Sequence, residues 1–173
     1  KVPFIMNTDS ENSTQYTGFA LGLALVDAVP VLFFLISGLL LWQLFPSRWF
    51  LIGIIACTAA GCGKVLWKIL LSADINHFWL NRQFRFLMPA GFGLLLLSLI
   101  INAGAIHWAG MIRAVISLPS LIFFIAGGIG MTAMAVFSGK MDNSSRSSWI
   151  EQFTNLTAQL MFLLGILFIV WKP

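Results

Sequence analysis

Charged residues are scarce in this sequence, making up 9% of its 173 residues against roughly 25% in ordinary soluble proteins. Hydrophobic residues make up 59%, and the mean hydropathy is +0.92. A single soluble domain of this length cannot bury so much apolar surface. The scarcity of charge therefore excludes an ordinary soluble protein.

Cysteine is also scarce, and the two cysteines, Cys57 and Cys62, lie five residues apart inside an apolar segment. This spacing fits neither a Cys-x-x-Cys redox pair nor a disulfide framework, so we interpret both as small packing residues. No run of basic residues is interleaved with aromatic ones, although the net charge is +4. Because excess lysine and arginine are usual in membrane proteins, we predict that the chain does not bind nucleic acid.

The sequence is rich in long apolar segments. A membrane-spanning helix needs about 20 predominantly apolar residues, and five segments reach that length, at 18–45, 49–71, 86–106, 118–138 and 149–171. A polar segment at 1–16 precedes them. We predict an all-α integral membrane protein in which residues 1–173 form one domain, a compact bundle of about five transmembrane helices.

Polar residues and prolines separate the predicted spans. The stretch 45–48 is a tight turn, which makes the first two spans antiparallel neighbours, and 72–85 is a polar loop. The stretch 107–117 precedes the fourth span. We favour a short interfacial stretch there, followed by a helix with Pro119 in its first turn. The alternative is one long helix that is kinked at Pro119.

An odd number of spans places the two termini on opposite faces of the membrane, and we name the face of the amino terminus side A. Seven of the ten Lys and Arg residues then fall on side A, and three, Arg48, Arg113 and Lys172, fall on side B. All six acidic residues also fall on side A. Because cytoplasmic loops are rich in Lys and Arg, we predict a multi-pass protein of the plasma membrane with a cytoplasmic amino terminus.

Small residues recur at a four-residue spacing in the predicted spans. Helices in lipid associate by close packing at such residues, because hydrocarbon gives them no hydrophobic driving force. The second span carries Gly53, Cys57 and Gly61 on one face. Other glycines in the predicted spans are the Gly-x-x-x-Gly pair Gly18 and Gly22, Gly91 with Gly93, and the group Gly127, Gly128 and Gly130. These faces predict tight packing and indicate no chemistry.

Polar side chains form a second kind of stripe. On the second span the face that carries Cys57 and Gly61 continues directly to Lys64 and Lys68, because all four positions follow the helical repeat. We predict that both lysines point into the bundle, close to side A. A lysine at this depth nearly reaches the interface by extending its side chain.

The fifth span carries a stripe of amides, in which Gln152, Asn155 and Gln159 share one face. Such groups are costly in lipid and must face other helices, water or a ligand. The first span contributes Asp27, and Pro30 removes the hydrogen bond to the carbonyl group four residues before it. We expect a break in the helix at this point, which is a common way to build a binding site in a membrane.

These groups together predict a vestibule on side A. Lysine and arginine suit a carboxylate or phosphate, and the amides offer neutral hydrogen bonds deeper in the membrane. The predicted ligand-binding residues are Asp27, Lys64, Lys68, Asn81, Arg82, Arg85, Glu151, Gln152, Asn155 and Gln159. The alternative is a network of structural ion pairs, because this region holds four acidic residues and four basic ones.

Candidates for catalysis or metal binding are few. Asp74 and His77 lie three residues apart but lack further ligands nearby. His77 and His107 are the only histidines and fall on opposite faces of the membrane, which excludes a haem held by two histidines. We therefore predict no metal and no cofactor, and we assign no catalytic residue.

Inward polar stripes and Pro- and Gly-marked helices favour a carrier or channel over an enzyme. We predict that the protein binds a polar or anionic small molecule, or a lipid headgroup, at one membrane face as part of transport. Membrane lipids are the expected partners, and a homo-oligomer would complete a pathway that five spans leave incomplete. Two alternatives stay open: a non-catalytic subunit or scaffold of a membrane complex, and a lipid-modifying membrane enzyme.

Overall fold

A computed structural model of the protein describes residues 21–73, 75–138 and 145–171. This part of the chain contains seven helices and no strand: α1 (Leu21–Leu44), α2 (Arg48–Ser72), α3 (Phe78–Arg82), α4 (Phe84–Ile101), α5 (Trp108–Ile116), α6 (Ser120–Ser138) and α7 (Ser145–Trp171). The predictions for the polar segment 1–16, Gly18, Asp74 and Lys172 concern residues outside this described part of the chain.

Several of these helices have the length and apolarity of membrane spans. α1, α2 and α7 each qualify, as does the 24-residue segment Phe78–Ile101 that contains α3 and α4. The bent pair of α5 and α6 makes a fifth if it crosses as one span. Four to five long apolar helices in an all-helical fold indicate a membrane protein, which confirms the predicted helical bundle at this level.

The helices around Pro30 and Pro89 differ from the predicted ones. α1 continues through Pro30 without interruption, so the break expected near Asp27 is wrong. One proline removes one backbone hydrogen bond, and α1 is held by α2 and α7 on its two sides. Pro89 lies inside α4, which already begins at Phe84. The predicted polar loop 72–85 is therefore shorter than expected, and the short helix α3 occupies part of it.

The region 107–138 forms two helices, and the fourth predicted span, 118–138, corresponds to α6. α5 and α6 are separated by 117–119, and their axes are bent by 78°. Pro119 immediately precedes α6 rather than lying in its first turn. The structure agrees with the first alternative, a short stretch followed by the span, and not with one long kinked helix.

The five long helices stand in one row. α1 packs against α2 on one side and α7 on the other, α2 then packs against α4, and α7 packs against α6. The order along the row is thus α4, α2, α1, α7, α6. The short helix α3 packs against α2 and α4, and α5 packs against α6 and α7. We keep the name side A for the end at which α1 begins and α2 ends.

Glycines allow the backbones of neighbouring helices to approach closely. A Cβ atom on Gly53 would lie 3.0 Å from the carbonyl oxygen of Gly91, and one on Gly91 would lie 3.0 Å from the backbone nitrogen of Cys57. In α6, a Cβ atom on Gly127 would lie 3.2 Å from the carbonyl oxygen of Ala158 in α7. Gly53, Gly91 and Gly127 therefore lie at packing contacts, as predicted, whereas a Cβ atom on Gly93 or Gly128 would meet nothing within 4 Å.

A small polar network closes the side B end of the row. The Ser98 hydroxyl lies 2.8 Å from the Ser47 hydroxyl, and the Asn102 amide nitrogen donates to the Ser98 carbonyl oxygen at 2.7 Å. The Trp42 indole also donates to the Ser47 carbonyl oxygen at 3.2 Å. These bonds join the α1–α2 turn to the end of α4, and they satisfy polar groups that would be costly in hydrocarbon.

Substitution of Gly91 tests whether close backbone contact holds α2 against α4. Gly91→Ala places a methyl group against the Cys57 backbone and sulfur, so we expect it to lower the free energy of unfolding by about 1–3 kcal/mol. Gly93→Ala is the matched control, because a Cβ atom there meets nothing within 4 Å. Thermal unfolding in detergent compares the two variants. Equal stability would show that this contact does not hold the helices together.

Candidate functional site

A cavity of about 260 Å³ lies in the side A half of the row. All five long helices contribute to its lining, so the row curves around it, and its two end helices, α4 and α6, face the same space. The lining residues from Glu151 to Gln159 in α7 extend about 12 Å along the helix axis. Ligand pockets in proteins have volumes of about 300–1,000 Å³, so this cavity suits a small group.

The cavity has one polar wall and one apolar wall. The central helices α1, α2 and α7 supply every charged or amide side chain of its lining, namely Asp27, Lys64, Glu151, Gln152, Asn155 and Gln159. The end helices α4 and α6 supply only apolar ones, namely Phe84, Met88, Phe92, Met131 and Met134. This division gives the cavity the character of a binding site for a molecule with a polar part and an apolar part.

Phenylalanine rings and an amide close the cavity toward side B. Phe34 of α1 and Phe92 of α4 make an edge-to-face contact with ring centroids 5.9 Å apart. The Gln159 amide nitrogen lies 4.0 Å from the sulfur of Met131, which links α7 to α6. Beneath this level Ile54 is fully buried against Gly38. The cavity therefore ends inside the bundle and does not continue to side B.

An ion pair joins the two central helices at the upper end of the cavity. The Lys68 ammonium donates to a carboxylate oxygen of Asp27 at 2.6 Å, and the two side chains are 6% and 9% exposed. Burial makes the ionised forms of both groups costly unless they neutralise each other. The pair thus fixes α1 against α2, and it agrees with the alternative of structural ion pairs for these two residues.

Lys64 and Glu151 also line the cavity, but their surroundings differ from those of the Lys68–Asp27 ion pair. Among the residues that the structure describes, neither has a partner of opposite charge within 4.0 Å. The Lys64 ammonium instead lies 5.0 Å from the centroid of the Phe84 ring, a cation–π contact that leaves its hydrogen-bond donors unused. The cavity therefore presents one cation and one anion to any molecule that enters it.

Gln152 is the most constrained polar side chain in the cavity. It is only 5% exposed, and its Oε1 atom has no hydrogen-bond donor within the described part of the chain. A buried polar atom without a partner costs about 1–3 kcal/mol. Gln152 belongs to the cavity lining, although this oxygen itself is buried.

The structure brings six of the ten predicted ligand-binding residues together around the cavity, and Lys68 lies behind them in its ion pair. Lys64 and Gln159, on different helices, line the same space. The remaining three do not: Asn81 is partly buried in α3, Arg82 lines a separate outer groove with Trp79, and Arg85 is exposed. Asn81 and Arg82 belong to α3, which packs against α2 and α4, and Arg85 lies in the first turn of α4; none of the three lines the cavity. Ligand binding by any of the ten stays a prediction.

The apolar wall was missed by sequence reasoning. Phe84, Met88 and Phe92 recur at a four-residue spacing and therefore share one face of α4. Apolar residues at this spacing occur on every membrane helix, so the pattern alone does not separate a cavity face from a lipid face. Only the position of α4 at the end of a curved row gives this face its role.

The chemistry available in the cavity is binding through charge and hydrogen bonds. The described residues include no group of three or more His, Cys, Asp or Glu residues that could hold a metal ion. The chain matches no protein family, no curated protein and no solved structure. We therefore infer a function from the cavity itself.

Substitution of the two lysines separates their roles. Lys68→Met leaves the Asp27 carboxylate buried without its partner, so we expect a loss of about 3–5 kcal/mol in the free energy of unfolding. Lys64→Met breaks no ion pair among the described residues and should change stability far less. Denaturation in mixed detergent micelles measures both variants, and Lys68→Met combined with Asp27→Asn should recover much of the loss. Equal stability of the two single variants would contradict these roles.

Proposed function

We propose that the cavity binds a small zwitterionic group, such as a phosphate that is linked to an amine, as part of transport. The charge on the polar wall is the single observation that carries this proposal. Lys64 and Glu151 place one cation and one anion in the cavity lining, and neither has a partner of opposite charge within 4.0 Å among the described residues.

The charges around the cavity favour a zwitterion over a simple anion. Lys68 and Asp27 neutralise each other, and Lys64 and Glu151 add one positive and one negative charge to the lining. Arg82 and Arg85, which made an anionic ligand attractive from the sequence, lie outside the cavity. A phosphate near Lys64 and an amine near Glu151 and Gln152 would match all of these groups.

The apolar wall supports an amphipathic ligand. A fully polar solute would leave the surfaces of Met88, Met131 and Met134 in contact with water. A ligand that carries hydrocarbon next to its zwitterionic group covers these surfaces and removes them from water. Methionine is suited to such contacts, because its flexible side chain adapts to irregular shapes.

Transport, rather than chemistry, is the activity we propose for this site. The described lining shows no pairing of a nucleophile with a base, and Phe34 and Phe92 close the cavity toward side B. A site that is closed toward one face is one state of a carrier that exposes its site to the two faces in turn. A homo-oligomer remains part of this proposal as the assembly that completes the pathway.

Binding of water-soluble headgroups tests the ligand class. Glycerophosphoethanolamine should raise the melting temperature of the detergent-solubilised protein more than glycerol 3-phosphate or ethanolamine, because it alone satisfies both charges. Gln152→Leu should weaken its binding about fivefold, the effect of one hydrogen bond. Thr157→Val, on the exposed face of the same helix, is the matched control. In liposomes, native protein should accelerate the exchange of fluorescent phosphatidylethanolamine between leaflets, and Lys64→Met should slow it.

The outcomes of these assays separate the function classes. If no headgroup stabilises the protein and lipid exchange equals that of empty liposomes, the transport proposal fails. The buried ion pair between Asp27 and Lys68 would then favour the second candidate, a non-catalytic subunit or scaffold of a membrane complex.

We also propose that side A faces the cytoplasm of a plasma-membrane protein. Without Lys64 and Lys68, which lie inside the bundle, five basic residues on side A still stand against three on side B, and positive residues are retained in the cytoplasm. Exposed positions at the two ends are Ala73 on side A and Gly104 on side B.

Thiol labelling tests this orientation. In a background with Cys57→Ala and Cys62→Ala, the variant Gly104→Cys should react with a membrane-impermeant reagent added to intact cells. The variant Ala73→Cys should react only after the cells are permeabilised. Mass-shift electrophoresis measures both reactions, and labelling of Ala73→Cys from outside intact cells would reverse the orientation.

A further inference from the structure

The curved row of helices is open between its two ends. α4 and α6 line the same cavity, yet no Cα atom of one lies within 8 Å of a Cα atom of the other. The short helices do not bridge them, since α3 packs against α2 and α4 and α5 packs against α6 and α7. Within the described residues, only side chains separate the cavity from the outside at this place.

The borders of this opening are apolar. The cavity lining nearest to it is apolar on both helices, with Met88 and Phe92 on α4 and Met131 and Met134 on α6. The outward faces of both helices carry exposed aliphatic residues, such as Leu96 and Ile129. An opening to water would be lined by polar side chains, whereas apolar borders between two lipid-facing helices suit an opening to hydrocarbon.

We propose that a phospholipid with a zwitterionic, amine-bearing headgroup enters the cavity sideways from the bilayer, between α4 and α6. Its headgroup reaches the wall that contains Lys64, Glu151 and Gln152, and its acyl chains remain between the two end helices. This inference rests on the proposed function and adds to it the class of the ligand and its path.

The dimensions of the cavity support a ligand that enters only in part. A volume of about 260 Å³ accommodates a headgroup but not two acyl chains, because it lies below the range of about 300–1,000 Å³ found for drug-sized ligands. The apolar border faces the polar wall across the cavity. A lipid that lies across the opening therefore meets charge at its headgroup and methionine at its chains, without crossing the side B closure.

Photo-crosslinking in proteoliposomes tests this path. The probe is phosphatidylethanolamine with a diazirine in one acyl chain, and peptide mass spectrometry locates the crosslinks. We expect strong labelling of Met88 and Met131, and a decrease of about fivefold in Gln152→Leu, which loses one hydrogen bond to the headgroup. Ile129, which is exposed on α6 outside the cavity, contacts bulk lipid, so its labelling should not change. It also shows that the variant is folded in the bilayer.

A second pair of variants acts on the opening itself. Met131→Trp adds bulk at the border of the opening, and Ile129→Trp adds the same bulk on the lipid side of the same helix. Met131→Trp should slow the exchange of fluorescent phosphatidylethanolamine several-fold relative to Ile129→Trp. Equal exchange rates would overturn the lateral path.

The experiment distinguishes failure of this path from failure of the proposed function. If Gln152→Leu leaves the labelling of Met88 and Met131 unchanged while glycerophosphoethanolamine still stabilises the protein, the cavity binds a soluble group and the lateral path is wrong. If the soluble headgroup also has no effect, both proposals are wrong.

Discussion

The ion pair between Lys68 and Asp27 joins the two helices on which the arrangement of the others depends. α1 and α2 occupy the middle of the row, and α4 and α7 pack on their outer sides. A charged side chain facing hydrocarbon costs several kcal/mol, so mutual neutralisation fixes which faces of α1 and α2 turn toward each other. The same rotation turns Lys64 and Gly61 toward the cavity. One buried contact thus determines where the remaining polar groups can meet.

Glycines set the distance between neighbouring helices. The ion pair does not, because electrostatic attraction brings two helices together without fixing how closely they approach. The contact of Gly53 with Gly91 lets α2 and α4 approach until their backbones touch, and Gly127 does the same for α6 against Ala158 of α7. The two end helices are therefore held by their inner neighbours and by the short helices α3 and α5. Their opposite faces remain available, and these faces form the apolar half of the cavity.

Much of the site followed from the sequence, because polar groups in an apolar helix have few places to lie. Lys64, Gln152, Asn155 and Gln159 were predicted to face one space, and they line one cavity. Residues near the junction of α3 and α4 were predicted less well. Arg82 ends α3 and Arg85 lies in the first turn of α4, and the orientation of these two helices depends on packing that the sequence pattern does not encode. The uninterrupted α1 at Pro30 likewise depends on support from α2 and α7.

The connection between α4 and α6 has a mechanical consequence. These helices lie at opposite ends of the row, but at side B they are linked through residues 102–119, which include α5 packed against α6 and α7. At side A, no described segment links the two. This link, residues 102–119, limits how far α4 and α6 can separate at side B. If the space between them widens, it therefore widens most at side A. α4 or α6 would then tilt about its side B end. The end of the helix that moves farthest would lie at the depth of the side A leaflet.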